Sequence, residues 1–473
     1  MQGNYFDSKD FKNLLRRYED AAKVGKPIYL DSDQLTDIAE YYHWKGKSSE
    51  AIAVADYALS MFEGATGPLV LKARIALLNE NMPEKAEMLA EQIADKNDLE
   101  YYYIKAEILV ATARGEDADL YLESCLDQID EFEICDFILD AAILFVDYEH
   151  TTLGRKWLER SEETDLADYR ETLGRILFYE KDYEGCERIF EQLIDESPYT
   201  SFYWDMLAST QLAQDNLSDA ITSSEYAIAI NPNDDDALLY KGQALMRLKN
   251  YEGAIKFFLR QSEVRETNID GYVNAAYCMF SLDKYEEGLN YLDKAKVRAK
   301  RYCPDRLWEI YQEETFAYSH NHELSKALDC LAKMEESPLC DPNELQVFRG
   351  HVYCENDQTE EARNCYKSAI ANSNYDPHIM LRVGVSLYDN DFVEIAYKIL
   401  SSLDATDLDK IPQAHAYLSI CAHDLNMRDA FLQHLKEAIE KSPIATRALL
   451  GTLFPEGMSP NEYYNYAIKQ PIS

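Results

Sequence analysis

Four positions in the middle of the chain recur at a fixed step of 34 residues, and that step leaves few folds open. Gly174, Ala208, Gly242 and Ala276 form one ladder; Tyr183, Leu217, Tyr251 and Tyr285 form a second. Cys186, Ala220, Ala254 and Gly288 make a third, and Pro198 and Pro232 close two successive units. A period of about 20–50 residues marks units too small to bury a core alone, so each must cover its neighbour's apolar face. At 473 residues, an ordinary globular chain would divide into several domains. A stacked array escapes that limit because its core grows in one dimension.

The composition of one period is that of a helical pair. Tyr169, Leu173, Ile176 and Leu177 have the 3.6-residue spacing of an amphipathic helix. A short polar turn follows, as in Glu180-Lys181-Asp182, and comes back as Asp215-Asn216, Lys249-Asn250 and Asp283-Lys284. The second helix carries small residues, with Ala254 before Phe258 and Ala220 before Ala227. Small side chains let neighbouring helices approach, and the aromatic fills the space between them.

These residues resemble the tetratricopeptide repeat (TPR) family, whose signature reads W-x2-L-G-x2-Y, then A-x3-F, then P. Trp204, Leu207, Ala220, Ala227 and Pro232 match one unit, and Leu173, Gly174, Phe190 and Pro198 another. Gly242, Ala254 and Phe258 match a third, while Ala276, Leu292 and Ala295 support a fourth. Farther on, Gly350, Tyr353, Ala362, Tyr366 and Ala369 make a unit that Gly384, Ala396 and Leu400 repeat. The resemblance implies an all-α solenoid, a right-handed superhelix of about twelve helix-turn-helix repeats. Residues 167–302 are the regular part; residues 32–166 hold irregular repeats and residues 303–443 further ones. In the irregular part Ala51, Ala86, Ala118 and Gly154 follow one another at steps of 35, 32 and 36. Tyr318, Ala327 and Leu331 mark a unit with a longer lead-in helix.

An array needs covered ends. Residues 1–31 are expected to supply a capping helix at about Asp7–Ala22, with Phe11, Leu14, Leu15 and Tyr18 on one stripe. Residues 444–473 are expected to cap the other end, with a helix starting at Ser459-Pro460 and Tyr463, Tyr464 and Ile468 docking back. Self-association through either terminal segment is the alternative use of these stripes.

Acidic residues outnumber basic ones by 86 to 47, a formal net charge of −39. Nucleic-acid binding draws on cations to release counterions, so no nucleic acid is expected as partner. An anionic membrane surface is disfavoured for the same reason, and no stretch reaches the length of a membrane span. A basic peptide or protein would be attracted, although acidic residues also simply solvate outer helix faces. No signal sequence is visible at the start, and ten scattered cysteines without paired spacing fit reduced thiols in the cytoplasm.

Chemistry is not signalled. His320 and His322 lie near Cys330, Cys340 and Cys354, but without the close paired ligands of a zinc site. Gly64 and Gly67 lack the lysine and hydroxyl of a phosphate loop. Asp234-Asp235-Asp236 lacks the glycine a calcium loop needs, and it reads as a helix start. Neither a cofactor, a metal nor an enzyme activity is expected.

The family resemblance implies that first helices line a concave groove through repeat positions 2, 5, 6, 9, 12 and 13. In the regular units these are Arg175, Phe178, Tyr179, Phe202, Met206, Leu239, Tyr240, Gln243, Val273, Asn274, Tyr277 and Phe280, with Leu212, Met246 and Asp205 on the same wall. Such a wall is more apolar than a solvated face, and aromatic anchors suit binding. Positions 5 and 9 hold Glu171 and Arg175, Asp205 and Ser209, then Leu239 and Gln243, instead of the lysine and asparagine with which some TPR proteins clamp chaperone carboxylates. The expected function is a scaffold or adaptor binding a polypeptide in the groove. The alternative is a regulatory or assembly subunit of a multi-component enzyme.

Overall fold

The computed structural model describes residues 5, 6, 8–23, 28–265, 267–455 and 458–469, and every regular element among them is helical. Residues 1–4, Asp7 and residues 470–473, parts of the expected caps, lie outside the described residues. The chain divides into two compact units, Met1–Thr210 and Gln211–Ser473.

In the first unit α1 (Lys9–Lys23) precedes five helical hairpins. They are α2/α3 (Ser32–Trp44, Ser48–Met61), α4/α5 (Thr66–Arg74, Pro83–Ala90), α6/α7 (Leu99–Ala111, Gly115–Cys125), α8/α9 (Ile134–Asp147, Thr151–Leu158) and α10/α11 (Ala167–Tyr179, Tyr183–Glu196). Helix α12 (Ser201–Ala213) opens hairpin six, and α13 (Leu217–Ile230) completes it within the second unit. There follow α14/α15 (Asp235–Arg247, Tyr251–Val264), α16/α17 (Asp270–Phe280, Tyr285–Tyr302), α18/α19 (Leu307–His320, Leu324–Glu335), α20/α21 (Pro342–Glu355, Thr359–Asn372) and α22/α23 (Pro377–Asp389, Val393–Leu400). After the short α24 (Ala405–Lys410) come the twelfth hairpin, α25/α26 (Ala414–Asp424, Arg428–Lys441), and then α27 (Pro443–Leu450) and α28 (Pro460–Lys469).

The hairpin turns share one local geometry. One residue inside each of the twelve hairpins has positive φ, from Gly46 through Lys181, Asp215, Lys249 and Asp283 to Asn426. At Lys181 the N–H donates to Phe178 O (3.0 Å), and that of Asp182 donates to Leu177 O (2.9 Å). This is a Schellman closure, which satisfies the last carbonyls of the first helix. The same pair of bonds returns at Asp215, Lys249 and Asp283, so one extra residue would break both. Second helices then start on side-chain caps where the sequence allows, Asp182 accepting from Gly185 N and Asn250 from Gly253 N. Lys249 is left-handed at φ 60 without being glycine. Lys249→Gly should therefore stabilise the second unit by about 0.5–1 kcal/mol, read as a higher urea midpoint.

In the first unit the turn residues Gly46, Asn81, Ala113, Glu149 and Lys181 stand 35, 32, 36 and 32 residues apart. Hairpin two departs further, because a π-helical segment, Ile75–Asn79, ends its first helix. One expectation is corrected in the second unit. The lead-in helix α18 has an ordinary 14 residues, and the additional length belongs to α17, which runs for 18. Nothing stops α17 before Cys303, and Pro304 then starts a 3-10 turn in which its missing N–H is harmless.

Each apolar cluster joins neighbouring hairpins. Phe137, Phe145 and Trp157 centre one in the first unit, and Phe258, Cys278 and Met279 one in the second. Both terminal segments are docked. Phe11 of α1 is buried against Tyr41, with ring centroids 5.3 Å apart. Tyr463 of α28 is buried and stacks on Phe454 at 3.9 Å, while Ile468 stays exposed.

Candidate functional site

The expected groove residues separate into two groups. In the first unit Arg175 is ion-paired to Asp147 at 2.7 Å. Phe178 lies edge-on to Tyr183 with centroids 5.8 Å apart, and Met206 packs on the cluster around Phe190. Tyr179 and Phe202 remain exposed, at 41% and 38%. In the second unit Leu239 packs on the Phe258 cluster, Tyr240 on Leu217 and Ala244, and Val273 and Phe280 on the cluster of Ala276 and Leu292. Gln243 and Asn274 are half-buried. Tyr277 is 49% exposed. Beside it, Phe280 stacks on Tyr285 and Tyr285 on His320, with centroids 5.8 and 5.2 Å apart. Several apolar groove positions thus serve helix packing, and Tyr179, Phe202 and Tyr277 are the aromatics left open.

A hollow of about 300 Å³ in the first unit was not singled out by sequence reasoning. It is lined by Arg74, Glu100, Tyr103, Glu107, Asp140, Ile143, Leu144, Asp147 and Tyr148, from hairpins two, three and four. Arg74, at the last α-helical turn before the π segment, donates from Nε to Glu107 (2.9 Å) and from Nη2 to Glu100 (3.4 Å). Burial opposes the charge on Arg74, but Glu107 and Glu100 outweigh it and raise its pKa. The carboxyl of Glu100 is nevertheless held above its ordinary range by burial, only partly offset by Arg74. Burial likewise raises Asp140, against Tyr103, and Glu40 and Glu171 in the flanking hairpins. These carboxylates are under-compensated: too few cations face them for the water they have lost. Their signal was in the sequence, because Glu40, Glu100, Asp140 and Glu171 occupy groove positions 9, 2, 6 and 5 once the register is carried through the irregular steps.

Inside the hairpins the packing is more diagnostic than the groove. Gly174, Gly242, Gly350 and Gly384 each face the residue sixteen places later: Phe190, Phe258, Tyr366 and Leu400. A Cβ on any of these glycines would come within 2.5–2.7 Å of the facing side chain. That is the G…F contact of the repeat signature, realised in both units. The hairpins are tetratricopeptide-type repeats.

Comparisons with known proteins give partial matches. The family model described as "Anaphase-promoting complex, cyclosome, subunit 3" matches residues 213–295. A protein SGT1 homolog from Oryza sativa subsp. japonica is 29% identical over 91 residues, 19% of this chain and 25% of that protein. A protein STIP1 homolog from Dictyostelium discoideum is 29% identical over 96 residues, 20% of this chain and 17% of its own. The match thus spans a quarter or less of either relative. Among solved structures, a tetratricopeptide repeat protein from Parabacteroides merdae is 16% identical, covering 54% of this chain and 98% of its own with a TM-score of 0.41. The APC/C hetero-tetramer Cut9-Hcn1 covers 96% and 95% at 12% identity, with a TM-score of 0.33.

The TPR repeats hold one arrangement that looks catalytic and is structural. His351 Nδ1 lies 3.0 Å from Ser386 Oγ, with Glu355 Oε2 3.8 Å from the other ring nitrogen. Ser386 is buried and its hydroxyl also bonds Tyr366 at 2.7 Å, so it ties two helices together. Asn390 and Ser386 hold the imidazole, and burial keeps it below its ordinary pKa. Among the described residues no group of three or more His, Cys, Asp and Glu is placed to hold a metal ion. No helix among them is long and apolar enough to cross a membrane. A second hollow, of about 440 Å³, lies between α21 and α23 and is mostly apolar, with Tyr366, Ile370, Phe392 and Ile395 in its lining.

Proposed function

We propose that this chain of TPR-type repeats is a non-enzymatic scaffold whose concave faces bind a polypeptide, and that the first unit selects a basic segment of it. The observation that carries the reading is the row Glu40, Glu100, Asp140 and Glu171: Glu40 and Glu171 are half-buried, Glu100 and Asp140 are exposed at the lining of the hollow, and partial loss of water raises the pKa of each. Stability alone would not keep them, since an uncompensated buried charge is unfavourable. Lysine or arginine side chains of a partner would supply the missing cations, and Tyr179, Phe202 and Tyr277 would supply anchoring surface. The free thiols of all ten cysteines suit a cytoplasmic setting.

The test is affinity purification from native cells, followed by capture of the recovered partner with variants. Asp140→Asn with Glu171→Gln should weaken capture about tenfold or more, the usual effect of removing desolvated charge contacts. The same pair should raise the urea midpoint at pH 7. Their folded pKa values lie above the unfolded ones, so the ionised forms destabilise the fold. That cost is absent in acid and appears as pH rises through the carboxylate range. Tyr277→Ala should weaken capture without moving the midpoint. Undiminished capture by all of these folded variants overturns the groove assignment.

A second reading, a subunit of a multi-component assembly, is favoured by the match of residues 213–295 to a family described as such a subunit. It predicts stoichiometric co-purification with several chains instead of one.

A further inference from the structure

The last segment of the second unit reaches back to that unit's first turn. Helices α27 and α28 form a firm cap: Phe454 stacks on Tyr463, and Arg428 Nη2 donates to Ile468 O at 3.0 Å. From this cap Arg447 Nε comes within 2.6 Å of Asp215 Oδ2. Asp215 is the left-handed turn residue of hairpin six, 232 positions earlier (447 minus 215). Arg247 of α14 lies 3.9 Å from Asp215 Oδ1 and donates to Leu212 O at 2.7 Å, so the carboxylate sits between two guanidinium groups. The Asp215 side chain is only 13% exposed. Burial raises its pKa and the two arginines work against that.

Capping does not need this pair. Tyr463, Phe454 and Ala467 already cover the apolar face of the twelfth hairpin. The cluster they form includes no residue of hairpins six and seven, and the cluster of Leu212, Leu217 and Ala220 includes no residue of the cap. The two ends therefore meet through charge, not through a shared apolar core. A contact of that kind can open without pulling apart an apolar core, because neither cluster spans the two ends.

We propose that the C-terminal cap is a reversible clasp: Arg447 on Asp215 closes the second unit onto its own first turn, and release of the pair opens it. A polypeptide reaching the concave side of that unit would meet the clasp either as a threaded segment or after opening it. That consequence rests on the groove reading; the clasp does not, and it is tested without any partner. Arg447→Lys places a primary amine beside the Asp215 carboxyl. A water-soluble carbodiimide should then join the two as an amide with loss of water, seen by mass spectrometry of the digested full-length chain. Adding Asp215→Asn should abolish that crosslink. Raising the salt to 1 M, where screening acts within about 3 Å, should cut its yield about two- to fivefold. The pair Lys296–Glu314, also shielded from solvent and on helices held by packing, is the internal reference and should change less. Absence of the Asp215 crosslink in the folded variant overturns the closure. A crosslink no more sensitive to salt than the reference overturns its reversibility.

Discussion

Trp157→Ala should lower the stability of the first unit by about 4–5 kcal/mol, the largest single loss expected in the chain. Trp157 is fully buried, edge-on to Phe137 with centroids 6.1 Å apart, in the cluster that joins hairpins three, four and five. Its indole N–H donates to Asp119 at 2.8 Å, and Asp119 is itself buried and held by Lys156. Alanine therefore leaves a cavity and removes a donor from a buried carboxylate. Trp157→Phe keeps most of the ring and loses only the donor, so it should cost about 1–2 kcal/mol. Because a repeat array is coupled mainly to nearest neighbours, the damage should be local. Urea unfolding measures the loss, and hydrogen exchange should show it first in α6 to α9. A loss below about 2 kcal/mol for alanine would mean that the irregular hairpins repack freely.

The irregular hairpins also show where the sequence stops being readable. Between α10 and α17 every turn inside a hairpin uses the same two backbone bonds, so identical spacing gives identical geometry, and the ladders of small residues can be placed by counting. The irregular steps in the first unit were visible too, since Ala51, Ala86, Ala118 and Gly154 keep the same offset from their turns. The register of backbone hydrogen bonds within a helix was not. Apolar spacing does not distinguish the π segment at Ile75–Asn79 from a continued α-helix. Nor does it say that the extra length lies in α17, up to Tyr302, and not in the lead-in helix of hairpin nine, which depends on the absence of a stop before Pro304.

The site was legible as a set of positions but not as a surface. Phe280 and Tyr277 occupy groove places three residues apart, yet Phe280 is covered by Tyr285 while Tyr277 stays open. The difference is made by an aromatic at the start of the next helix, which a list of first-helix positions omits. Of the carboxylates of the first unit, Glu171 was placed in the groove, while Glu40, Glu100 and Asp140 were passed over because a net charge of −39 makes any one acidic residue unremarked. What distinguishes them is lost water, and for Glu100 and Asp140 that depends on three hairpins converging on one hollow. Asp215 and Arg447 lie too far apart in sequence for any local pattern to connect them.

Mild acid should weaken the second unit through two histidines that cannot both be charged. His415 of α25 and His434 of α26 face each other with Nδ1 atoms 3.2 Å apart, so one ring donates to the other. Desolvation and the neighbouring imidazole push the pKa of His434 down to about 4. Burial, then Lys441, lowers His415, and Glu437 and Asp409 only partly compensate. An unfolded histidine titrates near 6.5, so between about pH 6.5 and pH 4 the unfolded chain binds a proton that the folded one refuses. Stability is then complete above the unfolded pKa and is lost as pH falls toward the folded one. The His434 shift, discounted because its ring is partly exposed, amounts to about 2–3 kcal/mol over that interval. His434→Gln can keep a donor toward His415 without a titrating proton. Its urea midpoint should match the wild type near pH 7.5 and exceed it by a growing margin as pH falls to 4.5. Paired carboxylates such as Asp409 and Glu437, whose pKa values are lowered by Lys441, also weaken the fold in acid. They are present in both proteins, so the difference between the two midpoints isolates the imidazole pair. A difference that stays constant from pH 7.5 to 4.5 would mean that the two rings separate and protonate without resistance.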